Sequence, residues 1–179
     1  TGRITRFLNV NDEVAGLAKI GPIHNQAQAV MRVLKSPETA VHLVTLLEEM
    51  PVQETADGIA ELRAARLPVG RVIVNMVRPQ VLDADALELV ATVPRSSVAR
   101  ALSSAGLGGA RRGGHAERLV EPLLAQAAEY AERYALETEQ RAVLADLDVP
   151  LHELPLLAEG MDLAGLYALA RQLREQDVS

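Results

Sequence analysis

Two nearly continuous apolar runs, AVHLVTLL at 40–47 and RVIVNMV at 71–77, constrain this chain more than any other feature. A strand with one wet face alternates apolar and polar residues. A run that does not alternate belongs in a strand covered on both faces, as in a parallel sheet. Between the runs, Pro51 occupies a first-turn helix position and Glu54 suits the acidic preference of a helix start. Val52, Ala56, Ile59, Ala60 and Leu62 then recur at helical spacing, so a helix is predicted to about Arg66, with Pro68 and Gly70 making the turn. Strand, helix and strand of these lengths form a βαβ unit, with parallel strands and a right-handed crossover.

The rest of the chain fits around that unit. Thr1–Leu8 reads as a loop exit and a short apolar stretch. Asn9–Ile20 has a helical pattern with Asn11 or Asp12 as cap, broken by Gly21 and Pro22. Residues 23, 27, 30, 31 and 34 form a helical stripe. Two short helical patterns, 83–91 and 96–104, precede the segment GLGGARRGGH at 106–115. A long helical pattern runs over 116–147 through Leu119, Leu123, Ala127, Tyr130, Tyr134, Val143 and Leu147, with a break expected near Glu137–Thr138. VPLHELPLL at 149–157 reads as a third strand running into a proline-bearing loop, and Asp162 as the cap of a last helix. The fold class is therefore α/β: part of a mostly parallel sheet flanked by helices, with an all-helical insertion. Residues 1–78 and 148–179 supply the α/β core, and 79–147 the helical region. Three strands make a thin sheet for 179 residues, and the chain opens on Thr1 rather than Met, so the sequence is expected to be part of a longer protein.

Composition removes several functions. Hydrophobic residues make up 49% of the chain, as in a soluble globular domain. There is no Cys, hence no disulfide, thiolate metal site or cysteine nucleophile. Asp plus Glu (24) exceed Lys plus Arg (18), for a net charge of −6, which argues against general nucleic-acid binding. Three Tyr, one Phe and no Trp leave no platform for stacking bases. No apolar run approaches the ~20 residues of a membrane span, so no integral membrane segment is expected.

Few residues suggest chemistry by themselves. The Gly-rich segment 106–115 lacks a following Lys-Ser/Thr and a preceding strand, so it reads as a solvated loop. An anion or partner contact through Arg111 and Arg112 is the alternative. His24, His42, His115 and His152 show no metal-binding spacing and read as structural. Adjacent strand residues point to opposite faces, so His152 and Glu153 need not pair. No metal site and no GxSxG nucleophile elbow is present. Glu48 and Glu49 stand at the carboxyl end of the first strand, the edge where open α/β sheets bind ligands, or are solvated acids beside a helix start. Asn75, a polar amide in VIVNMV, suits an adenine edge or caps its own loop.

In combination four segments are more telling. TGRITRFL at 1–8 resembles the end of the Asp-x-x-Pro-Thr-Gly-x-x-x-x-Leu-Leu switch of the arsenite-pump and tail-anchored-protein-targeting ATPases, with Phe7 and Leu8 in place of the leucines. TLLEEMPVQET at 45–55 is similar to the family's Thr-x-Pro-Glu-x-Leu-x-x-x-Glu-Thr strand exit, although Leu47 replaces the Pro. VIVNMV at 72–77 resembles its adenine-recognition strand, and VPLHELPLLAEGMDLAGL at 149–166 its closing adenine loop and last helix. The segments occur in the family's order and span nearly the whole chain. The likeness is strongest to the actinobacterial ArsA-like ATPases, often found as paired chains.

The resemblance implies a deviant P-loop NTPase fold of which this is the carboxyl-terminal half. The phosphate-binding loop and the catalytic and Mg²⁺-holding groups would lie before Thr1, so no catalytic residue is expected here. It implies ATP and Mg²⁺ as cofactors, held mainly by that other half. Asn75 would hydrogen-bond adenine, Pro155, Leu156 and Leu157 would line its pocket, Glu48 would approach nucleotide across a dimer interface, and Thr1 and Gly2 would belong to the γ-phosphate switch. The implied protein is a cytoplasmic ATPase, at most peripheral to a membrane. It would act as a homodimer or as a heterodimer with a related ATPase, moving a client through 79–147. The family's arsenite and zinc sites need Cys and are excluded here. The competing reading is a helical protein-interaction module with no nucleotide role. A hydrolase or oxidoreductase of another α/β type lacks its motifs.

Overall fold

The computed structural model describes residues 21–107, 115–158 and 160–177. In chain order the elements are α1 (Pro22–Leu34), β1 (Val41–Thr45), α2 (Glu49–Ala64), β2 (Val69–Val77), α3 (Ala84–Val90), α4 (Arg95–Ser104), α5 (His115–Ala145), β3 (Leu151–Pro155) and α6 (Leu163–Asp177). The helix expected over 9–20, Thr1, Gly2 and most of the Gly-rich loop lie outside the described residues. The chain divides into two compact units. One holds the described residues up to Pro79 and from Glu139 onward; the other is Gln80–Thr138.

The first unit carries a three-stranded sheet in the order β1-β2-β3, parallel throughout. Leu43 pairs with Val72 and Val72 with Leu151; Val44 pairs with Ile73 and Ile73 with His152. Paired residues point to the same side, so Leu43, Thr45, Val72 and Val74 share one face. There they join Val52, Ile59 and Leu62 of α2 and Leu144 of α5 in the core. Burying each such side chain contributes roughly 1.5–3 kcal/mol.

α2 begins at Glu49, with Pro51 in its first turn. Its buried line is Val52, Thr55, Gly58, Ile59 and Leu62. Ala60, expected in the core, is exposed, because the core-facing line runs one residue earlier. Arg66 ends the helix at φ 58°, with Leu67 N–H donating to Leu62 O (2.9 Å) and Arg66 N–H to Arg63 O (3.1 Å). This is a Schellman motif with Arg in the left-handed position usually given to Gly. The turn is therefore made at Arg66, while Gly70 lies inside β2. There the β1–β2 register shifts, and Gly70 lets the His42 ring approach: a Cβ at residue 70 would meet it at 2.8 Å. His42 Nδ1 accepts from the Arg71 N–H (3.1 Å).

α5 is unbroken for 31 residues. The break expected near Glu137–Thr138 does not occur; the Thr138 hydroxyl donates to Tyr134 O one turn back (2.8 Å) and stays within the helix. Leu144, not the expected Val143, enters the core. Arg63 donates to Leu147 O and Asp148 O, fixing the turn into β3. In the second unit, Asp83 caps α3 through the Ala86 N–H (2.8 Å), the Tyr130 hydroxyl accepts from the Val81 N–H (2.9 Å), and Tyr130 stacks on Tyr134. No helix among the described residues is long and apolar enough to cross a membrane.

Candidate functional site

Because the strands are parallel, their carboxyl ends share one edge of the sheet, and the described candidate residues collect there. Leu156 N–H donates to Val77 O (2.8 Å), joining the exit of β3 to the exit of β2. Asn75 and Pro155–Leu157 are thereby brought together. Glu48 lies on the same edge one strand over, since Thr45 pairs with Val74, the residue before Asn75.

β2 does not reach this edge as a regular strand. Val74 pairs with Glu153 and Val77 with Pro155, so three steps on β2 match two on β3, and Met76 sits at φ 57°. An extra residue with a left-handed φ is a bulge, which bends the strand end and re-aims its side chains. A non-glycine residue in that conformation is uncommon. Asn75 precedes it, half-buried, and among the described residues no hydrogen-bond partner is found for its amide. The other reading of Asn75, a cap on its own loop, therefore has no hydrogen bond behind it. An amide side chain offers two donors and an acceptor.

The apolar side of the edge comes from the loop after β3. Leu156 is 38% exposed and Pro155 is half-buried. Leu157 turns toward α6: a Cβ on Gly165 would lie 2.8 Å from its Cδ1. The same helix start is capped as expected, with the Asp162 carboxylate accepting from the Gly165 N–H (2.7 Å). Leu157 thus anchors the loop while Pro155 and Leu156 stay accessible. Gly165 belongs to no motif, although a Gly inside a helix costs roughly 1 kcal/mol relative to Ala and so hints at a close approach.

Glu48 is the N-cap residue of α2, with extended backbone (φ −132°, ψ 148°) and no side-chain capping bond. It is exposed, as is Glu49 in the first turn. His42 and His152 make their contacts elsewhere, His42 with the Arg71 N–H. His152 is 5% exposed, with Nε2 3.3 Å from Asp177, which also pairs with Arg71 at 2.6 Å. Glu153 points the other way, to Arg141 at 2.5 Å, as strand alternation requires. Among the described residues no cluster of three or more His, Asp or Glu could hold a metal ion. A concavity of about 950 Å³ on the flank of α6, lined by residues such as Tyr167 and Arg171, includes none of the candidate residues.

No protein-family model matches the chain. Among curated proteins it is similar to "ATPase BagA" of Mycobacterium tuberculosis strain H37Rv and to "Putative ATPase Mb3704" of Mycobacterium bovis. Each is 42% identical over 184 residues, covering 99% of this chain and 51% of the relative. The chain therefore spans about half the length of the curated relatives it matches. The names of both relatives designate ATPases, and identity at this level extends over essentially every element described above.

Proposed function

We propose that this chain is the carboxyl-terminal, base-recognising half of a P-loop ATPase of the ArsA-like type, and that adenine binds at the carboxyl edge of the sheet. The observation carrying this reading is the half-buried Asn75 amide. It has no partner among the described residues and stands at a bulged strand end beside the exposed Leu156. The ATPase names of the relatives support it.

The residues present fit the two implied ligands differently. An amide at the same sheet edge as an apolar loop suits a purine base, with Asn75 bonding its edge and Pro155 and Leu156 covering its plane. The described residues offer no carboxylate cluster for Mg²⁺. On this reading phosphate and metal belong to the part of the relatives that lies outside the match, and bound ATP would supply the phosphoryl group whose transfer depends on positioning and charge stabilisation. This chain's residues orient the base: Asn75 fixes its edge, and the Leu157–Gly165 contact holds the loop above it. Glu48 faces outward, where a second subunit reaches nucleotide in a dimer. Residues 79–147, with Val81, Leu89, Leu107, Leu123 and Leu136 exposed, form the region that meets a client when Thr1 and Gly2 report the γ-phosphate.

Titration of the 179-residue chain with ATP tests this. Millimolar binding without phosphate release is expected, and Asn75→Ala should weaken it about two- to tenfold, the ~0.5–1.5 kcal/mol of one hydrogen-bonded group. Robust hydrolysis by the chain alone contradicts the half-site reading. Unchanged affinity in Asn75→Ala contradicts the adenine assignment and favours the interaction-module alternative.

A further inference from the structure

The chain has no Cys, so its sulfur is that of four methionines, at 31, 50, 76 and 161. They fall into two classes. Met31 lies in the apolar stripe of α1 and is 5% exposed. Met50, Met76 and Met161 are exposed, and each follows or ends a different strand. Met50 is in the first turn of α2 after β1, Met76 in the bulge of β2, and Met161 in the loop between β3 and α6. Met76 is the unusual one. Its backbone is left-handed at φ 57°, a conformation that non-glycine residues rarely adopt. Its side chain is 52% exposed and takes no part in the core. Burial therefore does not explain a long apolar side chain at this position, and an observed backbone outlier of this kind points to function. Its chain neighbours are Asn75 on one side and Val77 on the other, whose C=O accepts the Leu156 N–H that joins the two strand exits. An unbranched thioether adapts to an irregular surface, and an exposed one is open to oxidation.

We propose that Met76 is a methionine-oxidation site, and that its conversion to the sulfoxide by a hydroperoxide lowers nucleotide affinity at the carboxyl edge of the sheet. With hydrogen peroxide, a sulfur lone pair attacks one peroxide oxygen. An S–O bond forms, the O–O bond breaks, and two electrons pass from sulfur to peroxide. The proton of the transferred oxygen moves to the departing one, which leaves as water. The product replaces an apolar, adaptable side chain by a polar one. Its oxygen is a hydrogen-bond acceptor next in sequence to the Asn75 amide, where it competes for the donors that a base edge needs. The proposal rests on the adenine reading and deepens it by naming a control of that same site.

Hydrogen peroxide treatment of the 179-residue chain, read residue by residue by peptide mass spectrometry, tests the site without nucleotide. Met76 should be oxidised about tenfold faster than Met31, the buried control, because susceptibility follows exposure. Equal rates overturn the site. Met50→Leu with Met161→Leu then removes the other exposed thioethers. In that background, calorimetric titration should show ATP binding roughly threefold weaker after peroxide, the scale of one perturbed hydrogen bond. Methionine sulfoxide reductase should restore it. Oxidised Met76 with unchanged affinity overturns the control. Adding Met76→Leu keeps an apolar side chain that peroxide does not modify, so peroxide should leave ATP affinity as it was. An equal loss in that variant assigns the effect to another group and overturns the role of Met76. Absence of ATP binding before peroxide contradicts the adenine reading and removes the control with it, while the oxidation rates still decide whether Met76 is a modification site.

Discussion

The two edges of the three-stranded sheet are built differently. At β3 a side chain closes the edge: Gln176 accepts from the Glu153 N–H (2.8 Å) and donates to the Glu153 C=O (2.8 Å), so one amide substitutes for a neighbouring strand. Asp177, the next residue of α6, reaches His152 and Arg71 and holds the helix end over the sheet. At β1 nothing comparable occurs among the described residues. His42 spends its ring nitrogen on the Arg71 N–H of β2, and Val44 stands in the open. Among the described residues, one edge is finished by a dedicated amide and the other is not.

The largest effect is expected where the sheet is closed. Leu144→Ala removes a side chain with no exposed surface that locks α5 onto the core, and should cost ~2–5 kcal/mol in urea unfolding. A loss below ~1 kcal/mol would mean that α5 is not part of the sheet's cover. Next, Gln176→Ala strips the β3 edge of its cap and should cost ~1–3 kcal/mol, leaving the Glu153 N–H and C=O without their partner. If Gln176→Ala proves neutral, the two edges do not differ as described. The smallest effect belongs to Val44→Lys in the 179-residue chain, expected within ~0.5 kcal/mol of the parent because the side chain is already in water. A large loss there would show that the β1 face is covered within the chain.

Much of this architecture is legible in the sequence because it follows from pattern. The runs at 40–47 and 71–77, the helix between them, the third strand and the Asp162 cap each rest on period or on local capping chemistry. What stays illegible is set by single contacts between distant residues. Leu144 rather than Val143 enters the core because helix phase over 31 residues is fixed by the sheet it meets. Gln176 reads as an ordinary polar helix residue until β3 lies beside it, and Gly70 reads as a turn until His42 packs across it. At the candidate site, Asn75 is visible as a polar residue in an apolar strand. The Met76 bulge that places Asn75 is not, since nothing in VIVNMV marks the left-handed residue. The run at 40–47 is the instructive mismatch, for its composition describes a covered strand, while among the described residues its position is an edge.

The adenine reading is tested most directly by nuclear magnetic resonance of the Asn75 side-chain amide. Adding ATP at millimolar concentration to the 179-residue chain should shift the Asn75 NH₂ signals together with the backbone amides of Leu156 and Leu157, and GTP at the same concentration should not. Absence of any shift at Asn75 with ATP, or equal shifts with both nucleotides, would contradict adenine recognition at this edge.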